Sequence, residues 1–129
     1  LSMPGSMYAP LIIKGIEKCC RENSLNYEIY KGIDTNIIEK GENFLILNGQ
    51  LDNELFELVR TAKMKGCKIG KDIGIISYNE SPINEIILDG LTVFSTDFKQ
   101  MGYLAAKMII EKSFKKIRCD FSLIRRSTF

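Results

Sequence analysis

The chain has 129 residues, which is enough for one domain with a buried core. Its 45% hydrophobic and 26% charged residues are typical of an ordinary globular protein. Because 18 Lys and Arg stand against 16 Asp and Glu, the net charge of +2 excludes a chain-wide basic surface for nucleic acid. The apolar runs fall far short of the roughly 20 residues of a membrane helix, so no membrane segment is predicted.

The first half of the chain alternates helical and strand patterns. Apolar residues at helical spacing predict a helix at about Leu11–Asn23. Asn26–Tyr30 alternates between polar and apolar residues, which predicts a strand with one face toward the core. Asp34-Thr35 can cap a short helix over Asn36–Lys40. The apolar run Phe44–Leu47 is typical of a strand covered on both faces.

The second half continues this alternation. In order, the predicted elements are a helix capped by Asp52, a strand at Ile73–Ser77, a short helix or turn at Pro82–Leu88, a strand at Leu91–Phe94, a helix at Asp97–Lys112 and a strand at Ile117–Ile124. Strands separated by helices favour parallel pairing. The predicted fold class is therefore α/β, with a parallel sheet flanked by helices.

The residue types exclude several kinds of chemical site. Without histidine, no Ser-His-Asp or Cys-His arrangement can form. The four cysteines lack metal-ligand spacing and are predicted to be buried or half-buried free thiols in a reducing cytosol; they are Cys19, Cys20, Cys67 and Cys119. A Gly-rich phosphate loop is also missing. We therefore expect no enzyme, no cofactor, no metal site and a cytoplasmic location.

Three motifs follow one another in the second half of the chain. They are the strand motif Lys71–Glu80, the segment Leu91–Val93 with Asp97-Phe98 and Met101-Gly102-x-x-Ala105-Ala106, and the final Phe121–Thr128. Together they resemble the effector-binding region of the lactose-repressor family of bacterial regulators, which shares its fold with periplasmic sugar-binding proteins. Each motif alone is weak, but their order and spacing cover about half the chain.

The resemblance implies a partial domain. Residues 1–129 would form the C-terminal lobe of a periplasmic-binding-protein-like domain, together with the hinge-crossing segment 91–124. The first lobe and the DNA-binding domain would lie outside the chain, and only Leu1–Met3 would remain of the lobe's first, central strand. A gap in the sheet would favour self-association or strand exchange. Residues 76–80 are closer to the subgroup that carries a gluconate-repressor type winged helix.

Polar side chains follow two neighbouring strands of the predicted sheet. Tyr78, Asn79 and Glu80 end one strand, and Asn48 and Gln50 follow the strand before it. Ligands bind at such carboxyl ends, where an aromatic ring stacks on a sugar and amide or carboxylate groups give directional hydrogen bonds. The resemblance therefore implies a small-molecule effector, a sugar or sugar derivative, at these five residues. The alternative is that both segments are ordinary polar turns.

The chain departs from the family pattern at three places that bear on sugar recognition. Ile12 stands where the family usually has a sugar-binding arginine. Asn79-Glu80 replaces a pair of aspartates, and Asn48-Gly49 replaces an Asn-Asp pair.

A basic C-terminal segment that includes Arg125 and Arg126 is interpreted as a solvated charged face in preference to a phosphate site.

The helix at 97–112 carries an apolar stripe of Met101, Leu104, Ala105 and Met108. In the resembling family the equivalent helix contributes to the dimer interface, which predicts self-association here. The alternative is that the stripe packs within the chain's own core.

DNA would be contacted only through a domain outside this chain. The functional hypothesis is the ligand-sensing part of a transcription regulator. The alternatives are a fragment of a solute-binding protein or a small flavodoxin-like enzyme.

Overall fold

The computed structural model describes residues 9–47 and 53–129. In chain order, the helices and strands of these residues are α1 (Ala9–Glu22), β1 (Asn43–Ile46), α2 (Asn53–Met64), β2 (Gly74–Tyr78), β3 (Thr92–Thr96), α3 (Phe98–Ile110) and β4 (Phe121–Ile124). Short 3-10 turns lie at Thr35–Ile37, Pro82–Glu85 and Ile87–Asp89. None of the described helices is long and apolar enough to cross a membrane.

The four strands form one sheet in the order β1-β2-β3-β4. β1, β2 and β3 are parallel neighbours, and β4 pairs with β3 in the antiparallel direction. The predicted α/β sheet flanked by helices is therefore confirmed. The antiparallel edge strand is a difference from a purely parallel sheet, and such mixed sheets are common among α/β folds.

The hydrophobic core lies between one face of the sheet and α2. Ile46, Ile75 and Val93, from three adjacent strands, are buried together with Leu58 and Ala62 of α2. Side chains alternate between the two faces of a strand, so this register sends one apolar set of side chains toward α2. Burial of each large aliphatic side chain contributes about 1.5–3 kcal/mol to the core.

The end of the chain joins β2 to β3. The Thr128 hydroxyl donates a hydrogen bond to the Ile75 carbonyl oxygen at 2.8 Å and accepts one from the Thr92 amide at 2.9 Å. The Ile75 amide also donates to the Thr128 carbonyl oxygen at 2.8 Å. Thr128 is buried, so these bonds are shielded from water and connect the amino-terminal halves of the two strands.

Two predicted elements of the first half are wrong. Asn26–Tyr30 is not a strand, and two of its apolar side chains, Tyr27 and Ile29, are exposed. Alternation supplies the faces of a strand, but a strand also needs a neighbour for its backbone groups, and no described residue fills that place. The helix expected over Asn36–Lys40 is only the 3-10 turn Thr35–Ile37, although Asp34 caps it by accepting from the Asn36 amide at 2.9 Å.

Candidate functional site

Asn79 lies at the carboxyl end of β2 in a left-handed backbone conformation, with φ of +69°. Asparagine tolerates this conformation better than most residues. The Asn79 amide donates to the Phe94 carbonyl oxygen at 2.7 Å, and its own carbonyl oxygen accepts from the Asn84 side chain at 3.1 Å. The main chain of Asn79 is therefore fixed from both sides.

The side chain of Asn79 contrasts with its main chain. Its Oδ1 atom is buried, and no group of the described residues donates a hydrogen bond to it. A buried acceptor without a partner costs about 1–3 kcal/mol, so native proteins usually provide one. A ligand with an N–H or O–H group would supply the missing donor.

Glu80 is held by the chain's own groups. Its amide donates to the Ser95 hydroxyl at 3.0 Å, and its Oε1 atom accepts from the Ser81 amide at 3.0 Å. Its Oε2 atom forms an ion pair with Arg126 Nη2 at 2.9 Å. The ion pair does not give Oε2 a hydrogen bond: like Asn79 Oδ1, this atom is buried and has no hydrogen-bond partner among the described residues. Contact of an effector with Glu80 stays a prediction.

Arg126 was missed as a site residue by the sequence analysis, which interpreted it as part of a solvated face. Its side chain is only 15% exposed. Besides the ion pair with Glu80, its Nη1 atom donates to the Leu91 carbonyl oxygen at 2.9 Å, and its amide donates to the Thr92 hydroxyl at 2.9 Å. Arg126 therefore connects the end of the chain to the loop that follows β2.

Tyr78 belongs to an aromatic cluster on the face of the sheet opposite the α2 core. Phe94 is its register partner on β3, and the Phe121 ring of β4 stacks on Phe94 with a centroid distance of 6.0 Å and an interplanar angle of 5°. The Tyr78 and Phe121 centroids are 6.5 Å apart. Tyr78 and Phe94 are half buried and Phe121 is 56% exposed, which leaves an aromatic surface next to Asn79.

Tyr78, Asn79 and Glu80 thus follow one another at the carboxyl end of β2, an interior strand of the sheet. Asn48 and Gln50 lie outside the described residues, so their part in the site stays a prediction. A cavity of about 560 Å³ lies elsewhere, between α1 and the side of β1 on which no described strand pairs, and none of Tyr78, Asn79 and Glu80 lines it.

The predicted dimerisation residues lie on a helix that packs little against the rest of the described chain. Met101 and Ala105 are exposed, Leu104 and Met108 are half buried, and α3 has no buried residue. Asp97 caps the helix by accepting from the Gln100 amide at 2.9 Å. The described chain therefore does not bury this stripe in its own core, and dimerisation stays a prediction.

All four cysteines are free thiols. Cys67 is buried, and Cys20 and Cys119 are half buried, but Cys19 is exposed, contrary to the prediction that it would be at least half buried.

The Asp72 side chain accepts a hydrogen bond from the Lys68 amide at 2.9 Å, and this bond lowers the pKa of the carboxyl group below 3.8. Among the described residues, no group of three acidic, cysteine or histidine side chains could hold a metal ion.

The family is defined by a sequence match over most of the chain. A model of the periplasmic binding protein-like domain matches residues 8–116, and the chain therefore belongs to this family. Comparison with curated protein sequences gives no significant match.

Solved structures of transcription regulators have a similar fold. A protein described as a transcription regulator from Staphylococcus saprophyticus subsp. saprophyticus is 26% identical, with a TM-score of 0.69 over 99% of this chain and 54% of that one. The lac repressor bound to ONPG is 18% identical, with a TM-score of 0.67 over 94% of this chain and 42% of its own.

A third neighbour was solved with a sugar. It is a periplasmic binding protein/LacI transcriptional regulator from Alkaliphilus metalliredigens QYMF complexed with D-xylulofuranose, 20% identical with a TM-score of 0.61. The match covers 92% of this chain and 51% of that one. The chain therefore spans about half the length of the regulators that it resembles.

Proposed function

We propose that the chain is the effector-binding part of a bacterial transcription regulator and that its effector is a sugar or sugar derivative. The fold supports the binding role, because the structural neighbours are lactose-repressor-family regulators. The sugar complex of one neighbour supports the ligand class. The role requires no chemical step by the chain and is consistent with a cytoplasmic protein.

The observation that carries this proposal is the buried Asn79 Oδ1 atom without a donor from the described residues. It lies at the carboxyl end of a parallel strand, where α/β folds bind ligands. The neighbouring Tyr78 offers an aromatic surface for the apolar face of a sugar ring. Asn48 and Gln50 complete the proposed site from the segment after β1, and Glu80 holds the loop in place.

In the proposed regulator this chain is the C-terminal lobe with the hinge-crossing segment 91–124. A first lobe supplies the other half of the effector cleft, and a DNA-binding domain of the lactose-repressor or winged-helix type reads the operator. Effector binding favours the closed arrangement of the lobes, and this shift in population changes the geometry of the DNA-binding domains. The coverage of 42–54% of the neighbours' lengths supports a partial domain.

We further propose that α3 forms the dimer interface through Met101, Leu104, Ala105 and Met108. The helix is capped and well formed, yet none of its residues is buried. Ile109 and Ile110 are 78% and 81% exposed, so the apolar surface extends beyond the predicted stripe. Association that covers this surface would remove it from water.

A thermal-unfolding screen tests the binding proposal. The chain is heated with a panel of sugars and sugar derivatives that includes D-xylulose and ONPG, since structures of neighbours hold D-xylulofuranose and ONPG. A ligand at 100 times its dissociation constant stabilises the folded state by about 2.7 kcal/mol, which raises the melting temperature measurably.

The ligand that the screen finds is then titrated calorimetrically against Asn79→Ala and against Asn36→Ala as a surface control. The loss of a hydrogen bond should weaken binding by about tenfold for Asn79→Ala. Among the described residues Asn36 donates to Asp34 alone, so its variant should bind as the parent chain does. Unchanged affinity of the Asn79 variant would overturn the assignment of the site.

A further inference from the structure

Glu80 combines a balanced charge with an unused hydrogen-bond acceptor. Its Oε2 atom lies 2.9 Å from Nη2 of Arg126, and the two side chains form an ion pair. Oε2 is nevertheless buried and accepts no hydrogen bond from the described residues, and the same is true of Oδ1 of the preceding Asn79. The guanidinium group therefore offsets the charge of the carboxylate and leaves the hydrogen-bonding capacity of Oε2 available.

Arg126 is held in this position by contacts that do not involve Glu80. Its Nη1 atom donates to the Leu91 carbonyl oxygen at 2.9 Å, and its side chain is 15% exposed. Gly90 lets the aliphatic part of Arg126 approach closely, since a Cβ atom at Gly90 would lie only 3.0 Å from Arg126 Cβ and Cδ. A second carboxylate, that of Glu85, is 3.9 Å from Nη2 but 74% exposed, so water screens its charge. The charge of Arg126 thus has a fixed place beside Glu80.

Two adjacent residues with unused acceptors define what a ligand must bring. Asn79 Oδ1 and Glu80 Oε2 can only accept, so a ligand that satisfies both must donate at least two hydrogen bonds. A sugar with free hydroxyl groups does so. A phosphate or carboxylate group brings more acceptors and a negative charge, which Glu80 repels. A cationic ligand has no advantage, because Arg126 already balances the charge of Glu80.

We propose that Arg126 is a positioning residue that makes this half of the effector site selective for neutral ligands rich in hydrogen-bond donors. The inference rests on the proposed function, which places the effector at Asn79, and it adds the charge of the effector. Arg126 acts through the Glu80 carboxylate and does not touch the ligand. Without Arg126 the site has a net negative charge and favours a cation; without the carboxylate it has a net positive charge and favours an anion.

Matched sets of sugars test this selectivity. The sugars are D-glucose, D-galactose and D-mannose, each as the neutral hexose, the 2-amino sugar and the 6-phosphate. Each is titrated into the isotope-labelled chain, and the NMR signals of the amides of residues 78–80 give its dissociation constant. The variants are Arg126→Met, Arg126→Lys and Glu80→Gln. Arg125→Met is the matched control, because Arg125 is the exposed neighbour of Arg126 and donates to the Phe129 carbonyl oxygen.

In the parent chain, at least one neutral hexose should bind at least about tenfold more tightly than its 6-phosphate. Arg126→Met should raise the affinity for the amino sugar relative to the neutral hexose by at least about tenfold, and Glu80→Gln should do the same for the 6-phosphate. Arg126→Lys keeps the positive charge and should retain the preference of the parent chain, as should Arg125→Met. A purely structural role of Arg126 would weaken all the sugars alike.

Tightest binding of a 6-phosphate by the parent chain would overturn the inference, and so would unchanged affinity ratios in a folded charge variant. If Arg126→Met does not fold, Glu80→Gln decides, since it removes the other charge and keeps Arg126. Both results would leave an effector at Asn79 intact. The inference also falls if none of these sugars shifts the amide signals. The proposed function is then judged separately, by the thermal screen and the Asn79→Ala titration.

Discussion

The Thr128→Val variant tests how strongly the end of the chain holds the sheet together. Valine has nearly the shape of threonine, so the change removes the hydroxyl and little else. It deprives the Thr92 amide and the Ile75 carbonyl oxygen, both on residues that are 0% exposed, of their hydrogen-bond partner. A buried polar group left without a partner costs about 1–3 kcal/mol. Two groups lose their partner here, but the carbonyl oxygen keeps a second lone pair. We therefore expect the free energy of unfolding to fall by about 2–4 kcal/mol.

Urea unfolding followed by circular dichroism measures this loss. The urea concentration at the midpoint of unfolding should fall. The slope of the free energy of unfolding against urea concentration should stay the same, because the surface exposed on unfolding does not change. Ser127→Ala is the matched control, since its hydroxyl donates to the Leu88 and Gly90 carbonyl oxygens from an exposed residue.

Water can replace the Ser127 hydroxyl, so the control should lose less than about 1 kcal/mol. If Thr128→Val costs no more than this control, the hydroxyl of Thr128 does not join β2 to β3 in the way described.

Three further sets of substitutions test the close contact at Gly70, the apolar stripe of α3 and the Asp72 carboxylate. Gly70→Ala should lower the urea midpoint, because Gly70 has φ of +81° and a Cβ atom there would overlap a backbone carbonyl oxygen; an unchanged midpoint would contradict this contact. Met101→Glu with Met108→Glu should give a folded monomer by light scattering if α3 is the dimer interface, whereas an unfolded product would mean that the stripe is core. The pKa of Asp72 is lower in the folded than in the unfolded state, so the ionised carboxylate stabilises the fold at pH values above 3.8. This contribution to stability is lost as the pH falls through the pKa of the folded state. Asp72→Asn should therefore be less stable near neutral pH and should lose less of its remaining stability on acidification; parallel pH profiles of the two proteins would disprove this.

The second half of the fold was predictable because its signals are local. The apolar run of β2 and the helical spacing of α3 each lie within a short window, and the structure places the elements within a few residues of the predictions. The parallel arrangement followed from the alternation of strands and helices. The placement of Tyr78–Glu80 at a strand end followed from the same patterns.

The parts that escaped prediction depend on partners far away in the sequence. The sequence around Arg126 indicates a surface charge. Only the folded chain places Arg126 against Glu80, 46 positions earlier. Asn26–Tyr30 shows the opposite case, since its alternation is correct for a strand and its neighbour is not among the described residues. Neither composition nor periodicity carries information about which distant groups meet.

The fixed main chain of Asn79 also determines how the proposed site would respond to an effector. Because both backbone groups of Asn79 are already bonded, ligand binding would spend little free energy on ordering this loop. The loop would therefore behave as a rigid half of the cleft, and the adaptation to different effectors would fall to the opposing lobe. Affinity at this half should depend on the direction in which the effector presents its donor, more than on the effector's size.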